Sequence, residues 1–416
     1  MDCLPEPCKL LLFIPLFPNI ALESLFNPKH LPMPASTHGY SEVLLTQLRR
    51  ELHKYPELSG EEVQTAIRIS RFLSDQKPDR IISKLGGNGV AAVFEGKNPG
   101  KRIMLRCELD ALPIEESNQF TYRSVKKGVS HVCGHDGHMA ILCGVASALG
   151  IQRPERGSVV LLFQPAEENG AGAVSLLSDK RFREIWPDYI FALHNLPGYR
   201  KGTVIVRERT FTASVNSIII KLQGVKAHAG EPMRGNNPAN AVAEIIGTLR
   251  RAENRRSDQP DFALFTPVYI RLGSIAYGVS ADEAELHYTL RAANEAHLRK
   301  LEAFTVDQVQ KVASDCGLDI TLDWTQRFIA TDNDPRLTRL VTEAAQTAGL
   351  EVIEAGSPFS WGEDFGYYTK EIPGVLFGLG AGNRVASLHQ PDYDFPDVLL
   401  GTGADLFREI INLSLQ

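Results

Sequence analysis

The sequence predicts an α/β fold: a mixed, largely parallel sheet flanked by helices, interrupted by an inserted α+β unit. Three observations lead there. Short apolar runs at Ile103–Leu105, Val159–Phe163 and Ile190–Leu193 are bounded by Gly, Pro or charge, as strands buried on both faces are. Helical patterns such as Met139–Leu149 and Ala171–Leu177 lie between them, and that alternation puts helices on both sides of a sheet. Between 214 and 329 the order changes to β-α-β-β-α-β, the ferredoxin-like unit.

Taken in order, Leu44, Leu45, Leu48 and Leu52 mark one face of a helix that stops before Pro56. Ser59-Gly-Glu-Glu62 reads as a capping box opening a helix through about Leu73. In the inserted unit, Val215–Leu222 is a strand, and Asn237-Pro238 caps a helix running to about Glu253. Two β-like runs follow, Ala263–Leu272 and Ala284–Leu290. A helix from Glu295 to near Gly317 and a strand at Leu318–Trp324 close it. Pro335 then starts a helix that Gly349 ends. The domain reading is therefore a leader over 1–40, a discontinuous domain over 41–213 and 330–416, and an insert over 214–329.

Composition narrows the function. The 416 residues carry 44 Lys+Arg against 50 Asp+Glu, and a net charge of −6 offers no general attraction to nucleic acid or anionic membrane. Six cysteines are too sparse for a disulfide scaffold, which favours a reducing, cytoplasmic setting. The apolar run at 10–17 is far shorter than the ~20 residues of a membrane span. It makes a poor signal peptide too, with Asp2 and Glu6 before it and Pro15 within, although it leaves export open.

Five segments carry candidate chemistry. His131-Val-Cys133-Gly-His135-Asp-Gly-His138 puts four metal-capable side chains on a Gly-broken stretch before a helix. Glu167-Glu168 follows the strand Val159–Phe163, where one carboxylate can bind metal while its neighbour activates water. His194-Asn195 ends another strand, Glu108 and Asp110 follow Ile103–Leu105, and His389 lies in a late loop. A parallel sheet would gather three of these at one rim, making a metal site for two ions. A cysteine hydrolase using Cys133 with His135 or His138 is a rival reading, and a non-enzymatic binding protein is another.

These segments resemble the aminoacylase/carboxypeptidase family of co-catalytic metallopeptidases. They are most similar to its amidohydrolase branch of hippurate hydrolases, N-acyl-amino-acid amidohydrolases and indoleacetate–amino acid hydrolases. The likeness runs from about Leu48 to Asp397 and includes Arg50-Glu-Leu-His53, Leu105-Arg-Cys-Glu-Leu-Asp110-Ala-Leu-Pro113 and Gly362-Glu-Asp-Phe365. The resemblance implies Cys133, His135, Glu168, His194 and His389 as ligands of two divalent ions (zinc, manganese or cobalt). It implies Glu167 as the general base, which takes a proton from water held at the metals and returns it to the leaving amine. Asp110 would orient a ligand, and Arg291 would bind the substrate's carboxylate. His228 would reach the site of another subunit and help hold the oxyanion, which implies a homodimer through the insert, a lid and dimerisation domain. The implied substrate is an N-acyl amino acid, with a dipeptidase or carboxypeptidase of the same family as the alternative. The chain departs from the branch at Glu108, where Asp is usual, at Tyr277–Ala281, which lacks the Asn and Pro of a common turn, and at Glu231–Asn237.

Overall fold

The computed structural model describes residues 39–416; the proposed leader and its apolar run at 10–17 lie outside them, but for residues 39 and 40. The chain opens with helices α1 (Glu42–Lys54) and α2 (Val63–Asp75), then strands β1 (Arg80–Leu85), β2 (Gly89–Glu95) and β3 (Asn98–Glu108). Next come α3 (His135–Ile151), β4 (Arg156–Gln164), α4 (Gly172–Ser178), β5 (Tyr189–Pro197), β6 (Val204–Val206) and the short β7 (Arg209–Thr210). The middle holds β8 (Ser214–Gln223), β9 (Ala227–His228), α5 (Ala239–Arg251), β10 (Ala263–Leu272), β11 (Val279–Ser280), β12 (Glu283–Ala292), α6 (Glu295–Asp315) and β13 (Asp319–Phe328). The last stretch is β14 (Asp332–Asn333), α7 (Pro335–Thr347), β15 (Val352–Glu354), α8 (Gly366–Thr369), β16 (Gly374–Gly382) and α9 (Leu399–Ser414).

The larger sheet has eight strands in the order β1-β2-β4-β3-β5-β16-β6-β15. Its centre is parallel: β3 pairs with β4 and β5, and β5 with β16. The β1–β2, β2–β4 and β16–β6 pairings are antiparallel, so the sheet is mixed. Alternation sorts each central strand between two cores. Val159, Leu161 and Phe163 pack with helices α1, α3, α7 and α9 on one face, while Val160 and Leu162 pack on the other. That double burial is why these strands read as unbroken apolar runs. The smaller sheet runs β10-β12-β8-β13, all antiparallel, and packs α5 and α6 over its own core of Ile218, Ile220, Leu286 and Leu290.

Two local expectations are corrected. Ser59-Glu62 is not a capping box. The Ser59 hydroxyl donates to Asp110 instead (2.7 Å), and Glu62 accepts the backbone N–H groups of Gly60 and Ala166. Glu62 itself caps α2 by position, with no side-chain bond to the helix. The helix expected over Met139–Leu149 begins four residues earlier, so His135 and His138 lie on its first turn rather than in a loop. Polar side chains hid that turn, because its partners are other buried polar groups. Asn237-Pro238 behaves nearly as expected: Asn237 Oδ1 accepts from Ala239 N (2.9 Å), with the helix starting one residue later.

A buried charge network ties α1 to α3 and the C-terminal segment. Fully buried Arg49 meets Asp136, Asp394 and Asp397, and His53 lies between Asp136 (2.9 Å) and Glu116 (3.1 Å). Burial opposes a charge on His53, but Asp136 and Glu116 carry its pKa up to about 9. An unfolded-chain histidine titrates near ~6.5. The folded value is the higher, so this stabilisation is complete below ~6.5 and disappears as the pH rises through about 9. Urea denaturation in steps from about pH 6 to about pH 10 should show that decline, and His53→Gln should flatten it.

Candidate metal centre

Parallel register decides where the chemistry gathers. Glu108 at the end of β3 sits beside Gln164 at the end of β4, and β5 carries His194 toward the same rim. Past β4 the chain turns through Pro165-Ala166, with Ala166 in the left-handed region (φ 53°). Its N–H is held by Glu62 (2.8 Å), and Glu167 and Glu168 follow. On the facing side, Gly134 (φ 94°) lets Cys133 and His135 turn toward one point, and α3 starts from it. His389 is also left-handed (φ 65°), its N–H bonded to Val132 O (2.9 Å).

The five expected ligands come together. The donor atoms of Cys133, His135 and His194 lie within 4.8 Å of one another, and so do those of Cys133, Glu168 and His389. Cys133 belongs to both triads. Glu168 leans both ways, with one oxygen 3.8 Å from His135 Nε2 and the other 3.9 Å from His389 Nε2. The two buried imidazoles are oriented from behind. His135 Nδ1 donates to Asp110 O (2.9 Å) and His194 Nδ1 to Asn195 O (3.0 Å), so each Nε2 faces the cluster. His135 Nε2 and Glu168 Oε1 are buried without any hydrogen-bond partner. His194 Nε2 meets Cys133 Sγ (3.5 Å), and imidazole nitrogens, a shared sulfur and a carboxylate suit a borderline-soft divalent ion.

Burial pushes the Cys133 thiol well up and the His194 imidazole down to about 3. A cation reverses that logic for a thiol and finds His194 already neutral. Burial raises Glu167 well above the usual carboxylate range, with Glu363, Glu168 and Asp364 adding to it. Burial also lifts Glu168, to about 7.

Asp110 is fully buried. It accepts from Ser59 Oγ and from Glu168 N (2.9 Å), with an oxygen 3.6 Å from His135 Nδ1. Arg291 lines the cavity above the donors and donates only to Ser360 O (3.1 Å). Burial lowers its pKa, and no described acidic side chain pairs with it. That cavity, about 500 Å³, reaches from Glu167 and Cys133 to β8, β12 and β13 of the smaller sheet. His228 is not brought in: it is exposed on β9, its Nδ1 accepting from Gly230 N.

A buried network lies beneath this cluster, built around Arg106, to which sequence reasoning gave no role. Buried Arg106 meets Glu108, Glu363 (2.9 Å) and Asp364 (2.6 Å), and donates to Gln164 (2.9 Å). His138 Nδ1 donates to Glu108 (2.6 Å), and its far nitrogen meets Asn195, whose amide also reaches Tyr393. The signal for Arg106 was its place in an apolar strand, where a cation needs buried acids.

Thiolate, imidazole and carboxylate donors gathered at the strand ends of a mixed α/β sheet define the class of co-catalytic metal hydrolases. The chain belongs to peptidase family M20/M25/M40, whose sequence pattern matches residues 104–413. It is 31% identical to an N-acetyldiaminopimelate deacetylase of Priestia megaterium, covering 82% of this chain and 91% of that one. It is 34% identical to an N-acetyl-L-cysteine deacetylase of Bacillus subtilis, covering 82% and 80%. Among solved structures it is similar to the YXEP protein of Bacillus subtilis, a dinuclear metal-binding peptidase of the M20 family. That likeness has a TM-score of 0.73 at 28% identity and covers 90% of this chain and 99% of that one. Among the described residues no helix is long and apolar enough to cross a membrane.

The turn at Gly134 gives a direct test. A Cβ there would lie 2.7 Å from Asn195 Oδ1, on a backbone that costs other residues about 1–2 kcal/mol. Gly134→Ala should lower the melting temperature and the bound-metal content together, measured by calorimetry and elemental analysis.

Proposed function

We propose that this protein is a two-metal amidohydrolase that splits N-acyl amino acids into a carboxylate and a free amino acid. The observation that carries this is the pair of donor triads sharing Cys133 on the floor of a cavity that also holds an unpaired arginine. Cys133, His135 and His194 would hold one ion, and Cys133, Glu168 and His389 the other, with zinc, manganese or cobalt as the candidates. Bound there, the ions supply acidity to a water and polarise the amide carbonyl. Arg291 anchors the substrate carboxylate through its planar fork and so sets the amide over the donors. Glu167 takes the proton of the attacking water and delivers it to the nitrogen as the C–N bond breaks. Burial beside Glu363, Glu168 and Asp364 raises its pKa, which makes it a stronger base than an exposed glutamate. Asp110 positions His135 and the backbone of Glu168.

We assign residues 41–213 and 330–416 to the catalytic domain, and 214–329 to an inserted lid with the separate core already described. We further infer a homodimer through that insert. β10 is an edge strand with Val268, Tyr269, Ile270 and Leu272 exposed, an edge suited to pairing with another strand. His228 pairs with Val279 of β11 and lies exposed outside its own chain's cavity, so a role at the oxyanion calls for a second copy. The described cysteines are all free thiols, in keeping with a cytoplasmic enzyme.

Glu167→Gln should abolish turnover with metal content intact, whereas Glu168→Ala should lose metal; turnover assays with elemental analysis separate the two roles. A chelator should stop the wild-type enzyme, and continued turnover after metal removal would point to a thiol hydrolase. Mixing inactive Glu167→Gln with inactive His228→Ala should restore about a quarter of wild-type turnover if subunits exchange freely and share sites. No recovery in mixed dimers would overturn the shared site, and an active His228→Ala would place His228 outside the reaction.

A further inference from the structure

One wall of the cavity is aromatic and continuous. Trp361 lies 5.4 Å, centroid to centroid, from the His194 ring, Phe359 lies 5.3 Å from Trp361, and Tyr199 lies 6.4 Å from Phe359. Buried Phe211 backs the run at 5.1 Å from Phe359 and 6.1 Å from Trp361, which fixes the rings' orientation. Leu196 and Pro197 extend the apolar lining. Of the acidic groups lining the cavity, Glu168 belongs to a donor triad, Glu167 stands beside it and Glu363 is paired with Arg106, so none waits beside the wall for a second cation on the substrate. Arg291, on β12, donates to Ser360 O, between Phe359 and Trp361, so the carboxylate anchor is tied to the stretch of chain that carries the wall.

We propose that Trp361, Phe359 and Tyr199 form a specificity subsite for a planar apolar group carried by the N-acyl amino acid, within reach of the amide held at His194. This assignment rests on the amidohydrolase reading above. The group is either the acid's side chain or the acyl moiety, since both flank the scissile bond. Stacking against a preformed wall lowers the barrier for such substrates relative to small ones, because water leaves two apolar faces at once. A doubly charged diamino acid finds no carboxylate there.

The test compares kcat/KM of the metal-loaded enzyme on N-acetylalanine, N-acetylphenylalanine, N-benzoylalanine and N-acetyllysine. At least one aromatic substrate should exceed N-acetylalanine by about tenfold or more, and which one does so locates the group as side chain or acyl. Phe359→Leu and Trp361→Leu, which keep apolar volume without the flat face, should each lower that ratio several-fold. Three results would overturn the subsite: aromatic substrates no faster than N-acetylalanine, N-acetyllysine fastest of all, or both variants slowing every substrate equally. Cleavage of none by the wild type would overturn the amidohydrolase reading and the subsite with it.

Discussion

Too much negative charge in too little water is the constraint around which this rim is built. Glu108, Asp110, Glu167, Glu363 and Asp364 are all buried, with Glu168 close behind. Unpaired carboxylates in such a place are expensive. Arg106 answers part of it. Burial disfavours its charge, but the acids around it hold it protonated, and with His138 it keeps Glu108 well below the usual carboxylate range although burial opposes that. Arg106 does not touch Glu167, Glu168 or Cys133. Those groups are left facing one another, and divalent cations are the natural counter-charge for them.

The same arithmetic separates adjacent residues. Glu167 lies within reach of Glu363 and Asp364, the carboxylates that Arg106 already serves, while Glu168 lies between His135 and His389. Glu167 also has an oxygen 4.0 Å from His135 Nε2, so one imidazole faces both carboxylates, while only Glu168 reaches His389 as well.

Much of this was legible beforehand for a physical reason. Central strands buried on both faces write themselves as apolar runs, so Ile103–Leu105, Val159–Phe163 and Ile190–Leu193 were visible, and the polar residues ending them marked the rim. The smaller sheet was visible because its element order, β-α-β-β-α-β, differs from the strand–helix alternation on either side. β16 was missed: four of the nine residues of Gly374–Gly382 are glycine and only Val375 is β-branched, since Gly378 and Gly380 lie against Leu196 and Arg200 where a Cβ would collide. The early start of α3 was missed because its first turn is polar and buried. The left-handed Ala166 carries no signal, as alanine seldom adopts that conformation and the bond from its N–H to Glu62 comes from far away in sequence.

β16 also bears on how the molecule comes into being. It is made near the end of the chain, yet it lies between β5 and β6, which are made long before it. While translation proceeds, the sheet therefore has a gap at its middle, and β5 presents an open backbone edge beside His194. His389 arrives later still. Cys133, His135 and His194 are therefore all made long before the second donor triad receives its last member.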